Sequence, residues 1–188
     1  MSALPVPRLT PEQYLEIERA AEFRSEYFDG EMFAMSGARL PHVMLGASII
    51  IALGPLLDRG CIVGGSDLRV RVSKDGPYFY PDVTVCCGEP QLADDYKDTL
   101  LNPTVIFEVL SPSSEAFDRG KKFAAYRRID TLREYVLVSQ TEPSIESYLR
   151  GPEDKWILTE YSGPDAICHL ESIDCNIVLA NIYRRIPA

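Results

Sequence analysis

Only one tryptophan and two histidines, His42 and His169, occur in the 188 residues, and no two cysteines have the Cys-X-X-Cys spacing. The five cysteines (Cys61, Cys86, Cys87, Cys168, Cys175) are odd in number and scattered, so they read neither as a zinc site nor as a disulfide framework. Reduced thiols are expected, with Cys86 and Cys87 as small buried apolar groups, and hence a cytoplasmic protein. Long apolar runs are lacking too. The longest uncharged one, Val43 to Leu57, is broken by Gly46, Ser48, Gly54 and Pro55, and falls short of the ~18–20 residues that cross a bilayer. Met1 to Thr10 holds two prolines, one arginine and no apolar stretch of a secretory leader. Positive charge is scarce, with 19 Lys+Arg against 28 Asp+Glu, a net charge of −9. With 46% hydrophobic and 25% charged residues the composition is globular, which excludes disordered, collagen-like and mucin-like chains. No repeat, low-complexity segment or Gly/Ser linker divides residues 1–188, so one domain is expected.

Thr10-Pro11-Glu12-Gln13 carries a cap, a first-turn proline and a capping-box glutamine, predicting a helix to about Glu22. Asp29-Gly30 between Glu26-Tyr27-Phe28 and Glu31-Met32-Phe33 predicts a hairpin. A buried helix is expected from about Pro41 to Leu57, stopped by Gly60. Leu68 to Val72 alternates with period two, Asp75-Gly76 turns the chain, and Phe79 to Cys87 returns, which reads as a meander. Thr104 to Leu110 is apolar on both faces and should be a central strand. Ser111-Pro112-Ser113-Ser114 then opens a helix from Glu115 to about Ile129, and Arg133 to Val138 is a further strand, together a crossover unit. Shorter strands are expected at Ile145–Leu149, Trp156–Tyr161 and Ile167–Leu170, with 173–186 partly helical. The expected class is α/β, a mixed sheet flanked by helices.

Glu108 interrupts the central strand, and a carboxylate there is costly unless a cation or donors compensate it. Asp82 follows Pro81 in a strand of the same sheet. Two carboxylates converging from adjacent strands suit Mg²⁺, which takes one or two carboxylates together with waters and a phosphate oxygen. Asp118, Lys122 and Tyr126 recur every four residues on a stripe shared with Ala125 and Ile129. That stripe must face the sheet, so Lys122 points toward Glu108, while Lys121 shares its side with Arg128 and faces water. The bland alternatives are a strand-end cap for Asp82, a structural ion pair of Glu108 with Lys122, a core role for Tyr126, a packed or capping His42, and a first-turn anion at Asp118.

Taken in order, Glu26-Tyr-Phe-Asp-Gly-Glu31, His42, Tyr80-Pro-Asp-Val83, Phe107-Glu-Val-Leu-Ser-Pro112, Asp118-Arg-Gly-Lys-Lys-Phe-Ala-Ala-Tyr126 and Arg133-Glu-Tyr-Val-Leu-Val138 resemble the Uma-type endonuclease family of the PD-(D/E)XK nuclease superfamily. The resemblance implies a restriction-endonuclease-like fold and Asp82 and Glu108 as metal ligands, with the carbonyl of Val109 as a further one. It also implies a lysine that stabilises charge or orients water, and motif positions near the site for Glu31 and His42. The superfamily lysine two residues after the glutamate is absent, since position 110 is Leu. The family supplies it from the following helix, which returns to Lys122. The expected activity is a metal-dependent endonuclease using Mg²⁺ or Mn²⁺; the alternative is a weak or inactive nuclease-fold module for binding or assembly.

Net charge opposes binding to DNA, but its distribution is uneven. Residues 118–133 hold six basic groups against two acidic ones, and Arg69, Arg71 and Lys74 form a second basic strand. Arg69, Arg71, Arg119 and Lys121 are therefore the expected nucleic-acid contacts, and a homodimer is expected because two sites related by a two-fold axis can cut both strands of a duplex.

Overall fold

A computed structural model describes residues 8–186. Most of the segment read for a leader, residues 1–7, lies outside them. The capping box at Thr10 forms as expected and starts α1 (Pro11–Ala20). Asp29 and Gly30, at φ 51° and 82°, turn β1 (Ser25–Phe28) into β2 (Glu31–Ala34). Helix α2 (Leu40–Ala52) is shorter than expected, since Gly54 and Pro55 divert the chain into a 3₁₀ turn, Gly54–Arg59, that ends at left-handed Gly60. Strands β3 (Cys61–Gly65), β4 (Arg69–Arg71), β5 (Tyr78–Phe79), β6 (Val83–Cys87), β7 (Thr99–Leu100) and β8 (Val105–Leu110) follow.

Beyond β8 the predicted single helix is a composite that ends at Tyr126: α3 (Glu115–Phe117), a π-helical turn (Asp118–Lys122) and α4 (Phe123–Tyr126). The wide turn leaves the carbonyl of Asp118 to accept both the N–H of Phe123 and, at 3.0 Å, the buried hydroxyl of Tyr135. Then come β9 (Glu134–Ser139), β10 (Ser144–Arg150), β11 (Trp156–Ser162), β12 (Ile167–Leu170), β13 (Cys175–Val178) and α5 (Leu179–Tyr183).

A mixed six-stranded sheet, β11-β10-β9-β8-β6-β3, organises the molecule, with β8 and β9 parallel as the crossover requires. Period-two alternation sends Val105, Phe107 and Val109 into one apolar layer, where they meet Leu45 and Ile49 of α2 and Leu179 and Ile182 of α5. Ile106 and Leu110 enter the opposite layer with Ala125 and Tyr126 of α4 and Val70 and Phe79 of a second sheet, β2-β1-β5-β4-β7. Helix α1 covers the far side of that second sheet through Tyr14, which stacks on Tyr27.

The structure corrects two expectations. The meander is split: β4 and β5 belong to the five-stranded sheet, whereas β6 pairs with β3 and β8 in the other. Pro81, which has no N–H for a ladder, marks the crossing between them. The cysteines are also not all reduced. Cys61 and Cys87 are register partners on β3 and β6 and form a disulfide, with Cys86, Cys168 and Cys175 free. This removes the thiol argument for the cytoplasm. Among the described residues no helix is long and apolar enough to cross a membrane.

Candidate active site

The crossing at Pro81 sets Asp82 immediately before β6. Since Val83 pairs with Phe107 and Thr84 with Ile106, extending the antiparallel register by one residue sets Asp82 opposite Glu108. Both line an open cleft of about 1640 Å³ together with Val109, His42, Asp118 and Lys122. Asp82 is firmly held: Oδ2 accepts the N–H of Val109 at 2.7 Å, and Oδ1 lies 2.8 Å from Nε2 of His42. That hydrogen bond raises the pKa of His42 above its ordinary value, against the opposing effect of burial.

Glu108 is buried, at 3% exposure, and its Oε1 takes both the Lys122 ammonium at 2.9 Å and the Tyr126 hydroxyl at 3.1 Å. Burial pushes its pKa well up, Lys122 opposes this, and Asp118, Asp82 and Glu26 add to it. The stripe behaves as its spacing predicts, because Asp118, Lys122 and Tyr126 are all buried while Lys121 and Arg128 are exposed. Burial works against a charged Lys122, but Glu108, Glu26 and Asp118 outweigh it and keep the ammonium charged.

Sequence reasoning gave no role to Glu26. On β1, with one face of the hairpin turned to the cleft, its Oε1 lies 3.0 Å from Nζ of Lys122 and accepts the N–H of Tyr80 at 3.1 Å. Its signal was present, since it opens the first motif quoted above.

A sequence model of the family described as "Uma2: Putative restriction endonuclease" matches residues 11–180. The chain belongs to the Uma2 family. It is 37% identical over 183 residues to the uncharacterized protein slr1290 of Synechocystis sp. (strain ATCC 27184 / PCC 6803 / Kazusa), covering 96% of this chain and 94% of that one. It is 38% identical over 160 residues to sll1609 of the same organism, also uncharacterized, covering 84% and 90%. A crystal structure described as a putative nuclease belonging to DUF820, from Anabaena variabilis, superposes with a TM-score of 0.77 over 95% of this chain and 99% of that one, at 16% identity. The expected mixed α/β nuclease-like fold is thus borne out.

Within this Uma2 chain not every expected residue reaches the cleft. Glu31 is exposed opposite Phe28 and is not among the residues lining it. Arg69 is only 2% exposed and is consumed internally: it pairs with Asp98 at 2.7 Å, donates to Thr99 at 2.9 Å and to the Tyr80 hydroxyl at 3.2 Å. Although it lines the cleft, its charge is already matched by Asp98, which leaves it a poor contact for a phosphate. Arg119 is held by Glu115 at 2.8 Å and Glu146 at 2.5 Å, leaving half-buried Arg71 and exposed Lys121 as the two of the four without a carboxylate partner among the described residues.

Proposed function

We propose that this chain is a Mg²⁺-dependent endonuclease hydrolysing phosphodiester bonds in DNA, with Mn²⁺ as a substitute. The supporting observation is the cross-strand register of Asp82 with Glu108, beside a lysine delivered by the following helix rather than by the strand. Glu26, Glu108 and Asp118 surround one ammonium, with Asp82 lining the same cleft, an excess of negative charge that a divalent cation would offset. Among the described residues no three His, Cys, Asp or Glu form a ready cage. That donor set fits Mg²⁺, which is held by one or two carboxylates plus water and substrate phosphate. Asp82, Glu108 and the carbonyl of Val109 would hold it. Bound there, the ion would polarise the phosphodiester and make its water more acidic.

The chain's own groups have distinct tasks. Lys122 offsets the negative charge that grows on the phosphoryl oxygens. Tyr126 orients Glu108, His42 orients Asp82, and Asp118 and Glu26 hold Lys122. The exposed apolar side chains Leu40, Val43 and Ile51 of α2 support a homodimer. As a nuclease for DNA it would act in the cytoplasm.

The second reading, a module without useful turnover, is favoured by one observation: both Asp82 oxygens already have protein partners. Incubating labelled DNA with the wild type or Glu108→Gln in Mg²⁺, Mn²⁺ or EDTA separates the two. Metal-dependent cleavage lost in Glu108→Gln is expected. DNA binding with no cleavage in either metal would establish the module instead.

A further inference from the structure

Three aromatic side chains stand open on the wall of the cleft that holds the carboxylates: Phe23 is 63%, Phe33 47% and Tyr96 72% exposed. Phe33 is the cross-strand partner of Glu26, so the two share one face of the hairpin, and Glu26 touches Lys122. Tyr96 is held by its neighbours. The Arg19 guanidinium lies 4.0 Å from its ring centre, and Asp94, which binds that guanidinium, also accepts the Tyr96 N–H.

Charge in the cleft narrows what these rings can meet. Eight carboxylates line it against five Arg or Lys. Arg19, Arg24, Arg69 and Lys122 already have carboxylate partners, so that among the described residues only Arg39 is left without one. A duplex hides its base faces, and sequence-independent binding to it comes from neutralised phosphates, which this cleft is poorly equipped to supply. An unpaired base offers a π-face that stacks on an aromatic ring whatever its identity.

Resting on the nuclease reading, we propose that the substrate is DNA with unstacked bases, a single strand or a single-stranded flap. A base stacks on Phe33, Phe23 and Tyr96 receive others along the cleft, and the backbone beside Phe33 is thereby carried to Lys122 and Glu108.

The test is fluorescence anisotropy on the full chain, with a labelled mixed-sequence DNA strand, its blunt duplex and an RNA strand of the same sequence, in Ca²⁺. The DNA strand is expected to bind at least roughly tenfold tighter than the duplex. Phe33→Ala and Tyr96→Ala are each expected to weaken it by about 5- to 150-fold. Phe33→Trp should retain binding, and all variants should melt as the wild type does, since the sites are exposed. Equal or tighter duplex binding, tighter RNA binding, Ala variants with unaltered affinity, or a dimer that dissociates on Phe33→Ala overturns the proposal. Failure of the nuclease reading looks different: strand binding responds to the aromatics, yet nothing is cut in Mg²⁺ or Mn²⁺. If instead duplex is cut and the Ala variants bind normally, the nuclease reading stands and the stacking surface is lost.

Discussion

The ammonium of Lys122 lies 2.9 Å from Glu108 and 3.0 Å from Glu26, carboxylates that belong to two different β-sheets. Strand β8 has Leu at the place where a lysine on its own ladder would stand, and the helix that follows provides the charge instead.

Lys122→Ala is expected to lower single-turnover cleavage by about 10²–10³ while Asp82 and Glu108 keep their ability to bind metal. Removing the partner of a buried carboxylate also costs about 3–5 kcal/mol, so thermal melting with and without Mg²⁺ must accompany the kinetics. Lys121→Ala should only reduce the salt slope of DNA binding by about one. Equal losses in both variants would refute the assignment.

Glu26→Gln keeps an oxygen for the Tyr80 N–H but removes one negative charge from Lys122. Cleavage should fall with little change in metal affinity, and Glu26→Asp should recover less than the wild type because it reaches less far. A variant with wild-type kinetics would leave Glu26 with a purely structural task.

Acid should expose the Arg19–Asp98–Arg69 cluster on the cleft wall. Burial raises the Asp98 pKa, but hydrogen bonds from Arg19 and Thr99 and the charge of Arg69 hold it well below the usual carboxylate range. A depressed folded pKa gives stability that is present above the unfolded value, about 3.9, and lost as pH falls toward the folded one. Melting temperatures of wild type and Asp98→Asn should therefore differ at neutral pH and converge as the pH drops well below 4. A gap that persists in acid would mean that the charge of Asp98 is not what stabilises it.

Thiol titration of the denatured chain should find three free cysteines without reductant and five with it. Reduction, or Cys87→Ser, should cost about 2–4 kcal/mol in chemical unfolding, the usual worth of closing a loop of this size.

Sedimentation at micromolar concentration is expected to give a dimer, and Ile51→Glu on the exposed side of α2 a monomer. A monomeric wild type would disprove the dimer.

Local patterns made much of this legible. The capping box, the Asp29-Gly30 hairpin, the apolar β8 and the every-fourth-residue stripe each depend on neighbours in sequence, and each is present. What failed depends on layers. Arg69 and Arg71 alternate with apolar residues and looked like a wet face, yet the five-stranded sheet is covered on both sides, by α1 and by the second core. The Cys61–Cys87 bond needed the pairing of β3 with β6, and β3, with two glycines at its end, carries little strand signal. Pro81 was the one residue that could have warned that Phe79 to Cys87 is not a single strand.

Because Lys122 is gripped by one carboxylate from each sheet, the order in which the molecule assembles decides when it can work. Neither hairpin nor crossover unit carries the site by itself, and the contacts that complete it join segments far apart in the chain, which form late for reasons of loop entropy. During refolding, any activity should return only after the ellipticity of the strands has recovered, so that turnover reports the last docking event rather than the first collapse.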